Sequence, residues 1–126
     1  MTILTSIPRQ QLFSAIRDSW RADTSAAGEW SPENPSHGQC AVTALLLQDY
    51  LGGTLMRCTV GGVSHYWTYL PSGEDVDLTR EQFPTFEPDG DIEERSRDYV
   101  LGFEDTARRY RTLAARVREA LGLDGS

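Results

Sequence analysis

The sequence predicts an α+β domain in which a central helix packs on a small antiparallel sheet and further helices flank this pair. Three observations lead to this fold class. An apolar run from Cys40 predicts a buried helix, strand-like segments separated by turn residues follow it, and amphipathic helical patterns lie on both sides of these elements. The length of 126 residues is that of one ordinary domain, so we expect a single domain over residues 1–126.

The first helix is predicted between Ser6 and Trp20. Leu12, Ile16 and Trp20 recur at every fourth position, which is the spacing of one helix face. We expect Ser6 to cap the helix and Pro8 to lie in its first turn, where a missing N–H costs little. Packing is the simplest role for this element.

A loop and then the central helix follow. Residues 23–38 are rich in glycine, proline and other turn-forming residues, which predicts a loop. The segment Cys40–Leu51 is apolar on nearly every side in its middle, and the pair Gly52–Gly53 comes directly after it. This pattern predicts a buried helix that begins at Cys40 and ends at the glycines.

Three strands are predicted next: Thr54–Val60, Ser64–Leu70 and Glu74–Thr79. The Gly61–Gly62 pair forms the turn between the first two. Pro71–Ser72–Gly73 suits a three-residue hairpin loop, since proline and serine favour the right-handed positions of a type I turn and glycine the left-handed position after it.

The C-terminal part predicts a loop and two helices. Residues 82–90 contain two prolines and form the loop. We expect a short helix over Ser96–Phe103 and a longer one over Glu104–Leu121. One face of the longer helix carries four large side chains: Tyr110, Leu113, Val117 and Leu121.

The charge of the chain argues against a nucleic-acid partner. The formal net charge is −7, whereas nucleic-acid binding depends on basic patches that neutralise phosphates. Arg108, Arg109 and Arg111 are close in sequence to Glu104 and Asp105, and we interpret them as a solvated helix face.

Membrane and export signals are also not expected. No segment approaches the roughly 20 apolar residues of a membrane span, and residues 1–20 lack the pattern of a signal peptide. We therefore expect a cytoplasmic protein with no membrane partner. In a reducing compartment Cys40 and Cys58 are expected to be free thiols.

Cys40 is the candidate nucleophile. It follows a turn-rich loop and begins the predicted buried helix, where unpaired N–H groups and the helix dipole stabilise negative charge. A thiol at such a position is expected to have a lowered pKa. The simpler alternative is that Cys40 is a small buried apolar residue.

His65 and Asp77 are the candidate partners of this thiol. The predicted three-residue loop pairs Tyr69 with Asp75, so the two-residue period of a strand brings His65, Asp75 and Asp77 to one face. Asp77 is diagonal to His65, within reach of its side chain, and Asp75 is one step further along the hairpin. The turn therefore selects Asp77 over Asp75. Alternatively, His65 and Asp77 are ordinary sheet residues.

These three residue types suit acyl-transfer chemistry. A thiolate attacks a carbonyl, the imidazole takes and returns the proton, and the carboxylate fixes the imidazole tautomer. The oxyanion donors would be the backbone N–H of Cys40 and a side-chain amide, either Asn34 or Gln39, and we favour Asn34 because the turn into the helix directs Gln39 away.

The chain resembles two families at these residues. Gly38–Gln39–Cys40 at a helix start, His65–Tyr66–Trp67 on a strand and Val76–Asp77–Leu78–Thr79 on the next are similar to the transglutaminase-like superfamily and, more distantly, to papain-like enzymes. The stretch from Trp30 to Pro84 resembles the small bacterial YunG-like proteins. The superfamily resemblance implies a papain- or transglutaminase-like core and a Cys, His, Asp triad, but no particular substrate.

The sequence thus predicts cysteine-dependent acyl transfer, or amide or peptide hydrolysis, through a thioester. The substrate would be a small molecule or peptide with an amide or acyl group, and we expect Trp30 and Trp67 to line its binding site. No cofactor or metal is expected. The alternative from a different class is a non-catalytic binding domain that keeps the fold, with these tryptophans as core or ligand-lining residues.

Two further alternatives concern other side chains. His37, Cys40, Cys58 and His65 have the composition of a zinc site, but their spacing matches no familiar zinc finger. His37 is also a rival base for Cys40. We prefer His65 because a strand position is more rigid and has an acid partner.

Overall fold

The computed structural model of the protein describes residues 7–26, 28–83 and 85–123. These ranges contain four α-helices, α1 (Arg9–Ser19), α2 (Cys40–Leu51), α3 (Arg97–Leu101) and α4 (Glu104–Ala120), and four strands, β1 (Thr54–Val60), β2 (Val63–Tyr69), β3 (Asp75–Val76) and β4 (Glu93–Arg95). The antiparallel sheet has the order β3-β2-β1-β4. The predicted α+β class is therefore confirmed.

Helix α2 and strand β1 have the predicted bounds. The apolar run makes α2 helical, and Gly52 ends it with a φ of 77°, in the left-handed region that favours glycine. Helix α1 begins at Arg9, with Pro8 at its N-cap position. The predicted cap Ser6 lies outside the described residues.

The sheet separates two apolar layers. On the inner face α2 packs against β2, and the Thr68 hydroxyl donates a hydrogen bond to the Ala44 carbonyl of α2 at 2.8 Å. Helices α1 and α4 pack on α2 from the other side, around Ile16, Leu46 and Leu113. On the outer face Cys58, Val60 and Trp67 form a separate cluster, which Met56, Phe83 and Phe86 cover.

Two strands differ from the sequence prediction. Strand β3 covers only two of the six predicted residues, because the Asp77 side chain accepts a hydrogen bond from the Thr79 N–H at 3.2 Å and turns the chain out of the ladder. Strand β4 was not predicted, because Glu93, Glu94 and Arg95 have no apolar alternation. It pairs with β1 as a charged edge strand, which is one way that sheets avoid edge-to-edge association.

No helix in the described part of the chain has both the length and the apolar character needed to cross a bilayer.

The buried face of α4 provides a test of this packing. Leu113 is fully buried between α4, α1 and α2, whereas Arg111, two residues earlier, is exposed. We expect Leu113→Ala to lower the free energy of unfolding by about 2–5 kcal/mol, because it removes buried methyl groups and leaves a cavity. Arg111→Ala should change it by less than about 0.5 kcal/mol. Urea denaturation measures both values, and equal losses would contradict this placement of α4.

Candidate active site

The loop before α2 is fastened to the segment that follows α1. The N–H of Ala26 donates to the carbonyl of Gly38 at 3.0 Å, and the hydroxyl of Ser25 donates to the carbonyl of His37 at 2.9 Å. Gly38 has a φ of 75°, and a Cβ atom there would lie 2.3 Å from Ser25 Oγ. Only glycine fits this position, so it fixes the path by which the chain enters α2 at Cys40.

Arg109 of α4 also holds this loop. Its Nη1 donates to the carbonyls of Thr24 at 3.3 Å and Gly38 at 3.4 Å, and its Nε donates to Asp105 at 2.8 Å. The interpretation of Arg109 as solvated was wrong, since the residue is only 6% exposed. The missed signal is its spacing, because Arg109 precedes the buried Leu113 by four residues and so shares its helix face.

The sulfur of Cys40 lies at the free edge of β2. Strand β3 pairs only with Thr68 and Tyr69, so the earlier part of β2 has no strand partner on that side among the residues that the structure describes. There the Cys40 thiol lies 3.8 Å from the carbonyl oxygen of Ser64, and the N–H of Tyr66 donates to the sulfur. The sulfur therefore contacts the backbone on both sides of His65.

Burial raises the pKa of the Cys40 thiol to about 11, and the negative charges of Asp77 and Glu29 act in the same direction. The backbone N–H groups of Tyr66 and Ala41 oppose this shift by hydrogen bonding to the sulfur. The expectation of a lowered pKa at the helix start was wrong, since desolvation outweighs the stabilising N–H groups. The thiol is protonated at neutral pH and needs a proton acceptor to become a nucleophile.

His65 and Asp77 meet, at the position that the hairpin register predicts. The sheet pairs Tyr69 with Asp75. The Nε2 atom of His65 lies 2.5 Å from Oδ2 of Asp77. Asp75, the rejected candidate, instead accepts a hydrogen bond from Nε1 of Trp67 at 2.9 Å.

Asp77 has further hydrogen-bond donors. Besides the Thr79 N–H, Nε of Arg80 donates to its Oδ2 atom at 2.9 Å. The Asp77 side chain is thus an acceptor toward Thr79 and Arg80, and we assign it as the acceptor toward Nε2 of His65 as well. The basic lone pair of the neutral imidazole is then on Nδ1.

The thiol and the imidazole approach β2 from different directions. Thr68 points to the inner face of β2, and His65 is an odd number of residues away, so its side chain points to the outer face. There it is fully buried against Phe83 and Phe86. Its hydrogen bond to Asp77, the residue after β3, turns the ring toward the β3 side of the strand. Because Cys40 reaches β2 on that same side, the route from sulfur to imidazole passes around the strand edge.

No hydrogen bond among the described residues joins either predicted amide to Cys40. Asn34 is an exposed turn residue whose backbone N–H donates to the carbonyl of Ser31 at 3.0 Å, and its role as an oxyanion donor stays a prediction. Gln39 is fully buried, and its Nε2 donates to the carbonyl of Arg21 at 3.1 Å. The backbone N–H of Cys40, at the start of α2, lies outside the intrahelical ladder and stays a candidate donor.

A cleft of about 200 Å³ opens beside Cys40. It lies on the inner-face side, between the start of α2, the β1–β2 hairpin and the start of α4. Neither Trp30 nor Trp67 is among its described lining residues. Trp67 is 3% exposed and belongs to the outer-face cluster, and Trp30 is partly buried in the loop before α2. The described lining comprises Ala26, Glu29, Gly38, Cys40, Ala41, Val63, Ser64, Tyr66, Val100, Phe103, Thr106 and Arg109.

The rival residues have other surroundings. Cys40 and Cys58 are both free thiols, and Cys58 lies opposite His65 in the sheet, in the outer-face cluster. His37 lies in the loop before α2, with its carbonyl bound by Ser25. Within the described ranges, no three His, Cys, Asp or Glu side chains come together in a way that could hold a metal ion.

Comparison with known proteins places the chain by sequence. The family profile described as YunG protein matches residues 8–122. The chain belongs to the YunG family. It is 40% identical over 68 residues to the uncharacterized protein YunG of Bacillus subtilis (strain 168), a match that covers 54% of this chain and 56% of that protein. The chain thus spans little more than half the length of this curated relative. No solved structure matches.

The thiol pKa of this YunG-family chain gives a direct prediction. We expect the rate of Cys40 alkylation by iodoacetamide to rise about tenfold for each pH unit from pH 8 to pH 10, because the reactive thiolate forms with a pKa of about 11. Peptide mapping by mass spectrometry separates Cys40 from Cys58, which is buried and should react more slowly. Free cysteine, with a pKa of about 8.5, is the control and should level off within this range. A plateau at Cys40 below pH 9 would contradict the raised pKa.

Proposed function

We propose that this chain catalyses cysteine-dependent acyl transfer, or amide or peptide hydrolysis, through a thioester on Cys40. One observation carries the proposal: a thiol at a helix start, on a cleft, contacts the backbone on both sides of His65, whose imidazole is bound to Asp77. Nucleophile, base and orienting acid are the parts that such a reaction requires.

In this proposal His65 is the base. Asp77 holds Nε2 of the imidazole, so Nδ1 accepts the proton of the Cys40 thiol around the free edge of β2. The negative charge of Asp77 stabilises the imidazolium that forms, and Arg80 and Thr79 hold the carboxylate in place. The imidazolium then protonates the leaving group.

Backbone N–H groups stabilise the negative charge on the sulfur and on the developing oxyanion. The N–H groups of Ala41 and Tyr66 stabilise the thiolate once its proton has left. The N–H of Cys40 itself is the candidate oxyanion donor, because the helix start leaves it without an intrahelical partner. The substrate is a small molecule or peptide that presents an amide or acyl group from the cleft.

We further propose that the chain has a papain- or transglutaminase-like core. The order of the elements supports this relation: a cysteine begins the helix that packs on the sheet, a histidine lies on β2 and an aspartate follows β3.

A non-catalytic binding domain is the second candidate, and two observations favour it. First, the pKa of the Cys40 thiol is raised rather than lowered. Second, His65 is fully buried in an aromatic cluster, where a hydrogen bond to Asp77 would be needed simply to satisfy its ring nitrogen. In that case Asp77 contributes to stability but to no reaction.

Asp77→Asn and Asp75→Asn form a matched pair that separates these candidates. Both acids bind a ring N–H on the outer face, but only Asp77 binds His65. We expect Asp77→Asn to lower kcat/KM about 100-fold or more, because the amide still accepts from Nε2 but cannot stabilise an imidazolium. Asp75→Asn should stay within about threefold of the wild type.

Hydrolysis of a panel of 4-nitrophenyl esters and aminocoumarin amides provides the rates, with Cys40→Ala as the blank. Thermal melting shows whether each variant is folded. Activity that survives Cys40→Ala, or equal rates for the two aspartate variants, would contradict the proposed chemistry.

A further inference from the structure

Glu29 carries the one unbalanced charge among the described lining residues of the cleft. The other charged side chain there, Arg109, is paired with Asp105 and bound to backbone carbonyls. The Glu29 side chain is exposed and forms no ion pair with any residue in the described ranges. The cleft therefore offers a free carboxylate.

This carboxylate lies close to the nucleophile. A Cβ atom built on Gly38 would be 2.9 Å from Oε2 of Glu29, so the carboxylate rests against the residue two positions before Cys40. Its charge also acts on the Cys40 thiol, where it is one of the causes that raise the pKa.

Two aromatic side chains line the same cleft. Phe103, before α4, is 53% exposed, and Tyr66, on the inner face of β2, is partly buried. An exposed apolar side chain beside a polar site is typical of a surface that binds a ligand. The described lining thus presents a free carboxylate, an apolar contact surface and a thiol.

We propose that the cleft selects an acyl donor whose reacting carbonyl lies next to an ammonium group and an apolar side chain, as in an amino acid amide or the N-terminal residue of a peptide. This inference rests on the proposed function, because the carbonyl is the one that Cys40 attacks. The ammonium binds Glu29, and the side chain packs between Tyr66 and Phe103.

The reaction balances for such a donor. The Cys40 sulfur bonds to the carbonyl carbon, the carbon–nitrogen bond breaks, and the thiol proton passes through His65 to the departing amine. Water then cleaves the thioester, which restores the thiol and releases an amino acid. The bound ammonium also offsets the charge of Glu29, so the donor itself makes ionisation of the thiol easier.

Binding to the full chain with Cys40→Ala tests this ligand class without any turnover. The probes are L-leucinamide, which has the ammonium and an apolar side chain, and N-acetyl-L-leucinamide, which lacks the charge. We expect L-leucinamide to shift the backbone amide NMR signals of Tyr66 and Phe103 and to bind about tenfold more tightly than the acetylated probe.

Glu29→Gln in the same background should remove this preference. Glu33→Gln is the matched control, because Glu33 is an exposed acid of the same loop that is not among the described lining residues. It should leave the preference unchanged. Equal binding of the two probes, or a preference that survives Glu29→Gln, would overturn the inference. Selective binding with no acylation of Cys40 in the wild type would support this ligand class and contradict the proposed chemistry, so the two failures can be distinguished.

Discussion

The path of the chain into α2 is the constraint on which the candidate site depends. Gly38 adopts a left-handed conformation in a space that no side chain can share, and Arg109 binds its carbonyl from α4. These contacts set the residue at which the helix begins. Because that residue is Cys40, its sulfur reaches the one part of β2 whose edge β3 leaves unpaired.

The chemistry at this edge follows from a balance of desolvation against hydrogen bonding. Two N–H groups favour the Cys40 thiolate, but burial and the nearby carboxylates of Asp77 and Glu29 disfavour it more strongly. A thiol of this kind is inert until a base takes its proton or a cation offsets the surrounding negative charge. Under the proposed function, the thiol would become a nucleophile only when a ligand occupies the cleft.

The elements that could be predicted are those whose own residues, an apolar run or a turn, already determine where they begin and end. Helix α2 and strand β1 have the expected bounds because an apolar run and a following turn determine them locally. The contact of His65 with Asp77 was predictable for a related reason, since the Pro71–Ser72–Gly73 loop sets the hairpin register. Strand β4 has no such signal, because it is held only by pairing with β1.

The features that the sequence missed depend on tertiary packing. The burial of Arg109 is visible only when α4 rests against the loop before α2, although its spacing from Leu113 is a signal. The thiol pKa depends on how much water α2 and β2 exclude, which residue type and position do not reveal. Trp67 lies on the face of the sheet opposite to α2, and the sequence does not show which face the helix covers.

A covalent bond between an acyl group and the Cys40 sulfur is the decisive observable. The protein would be incubated with an activated ester such as 4-nitrophenyl acetate, quenched in acid and mapped by mass spectrometry, with His65→Gln treated in parallel. We predict a hydroxylamine-sensitive acetyl group on Cys40 in the wild type and at least about tenfold slower formation in His65→Gln. No acetyl group on Cys40, or equal rates in the two proteins, would contradict the proposal that His65 takes the proton of the Cys40 nucleophile.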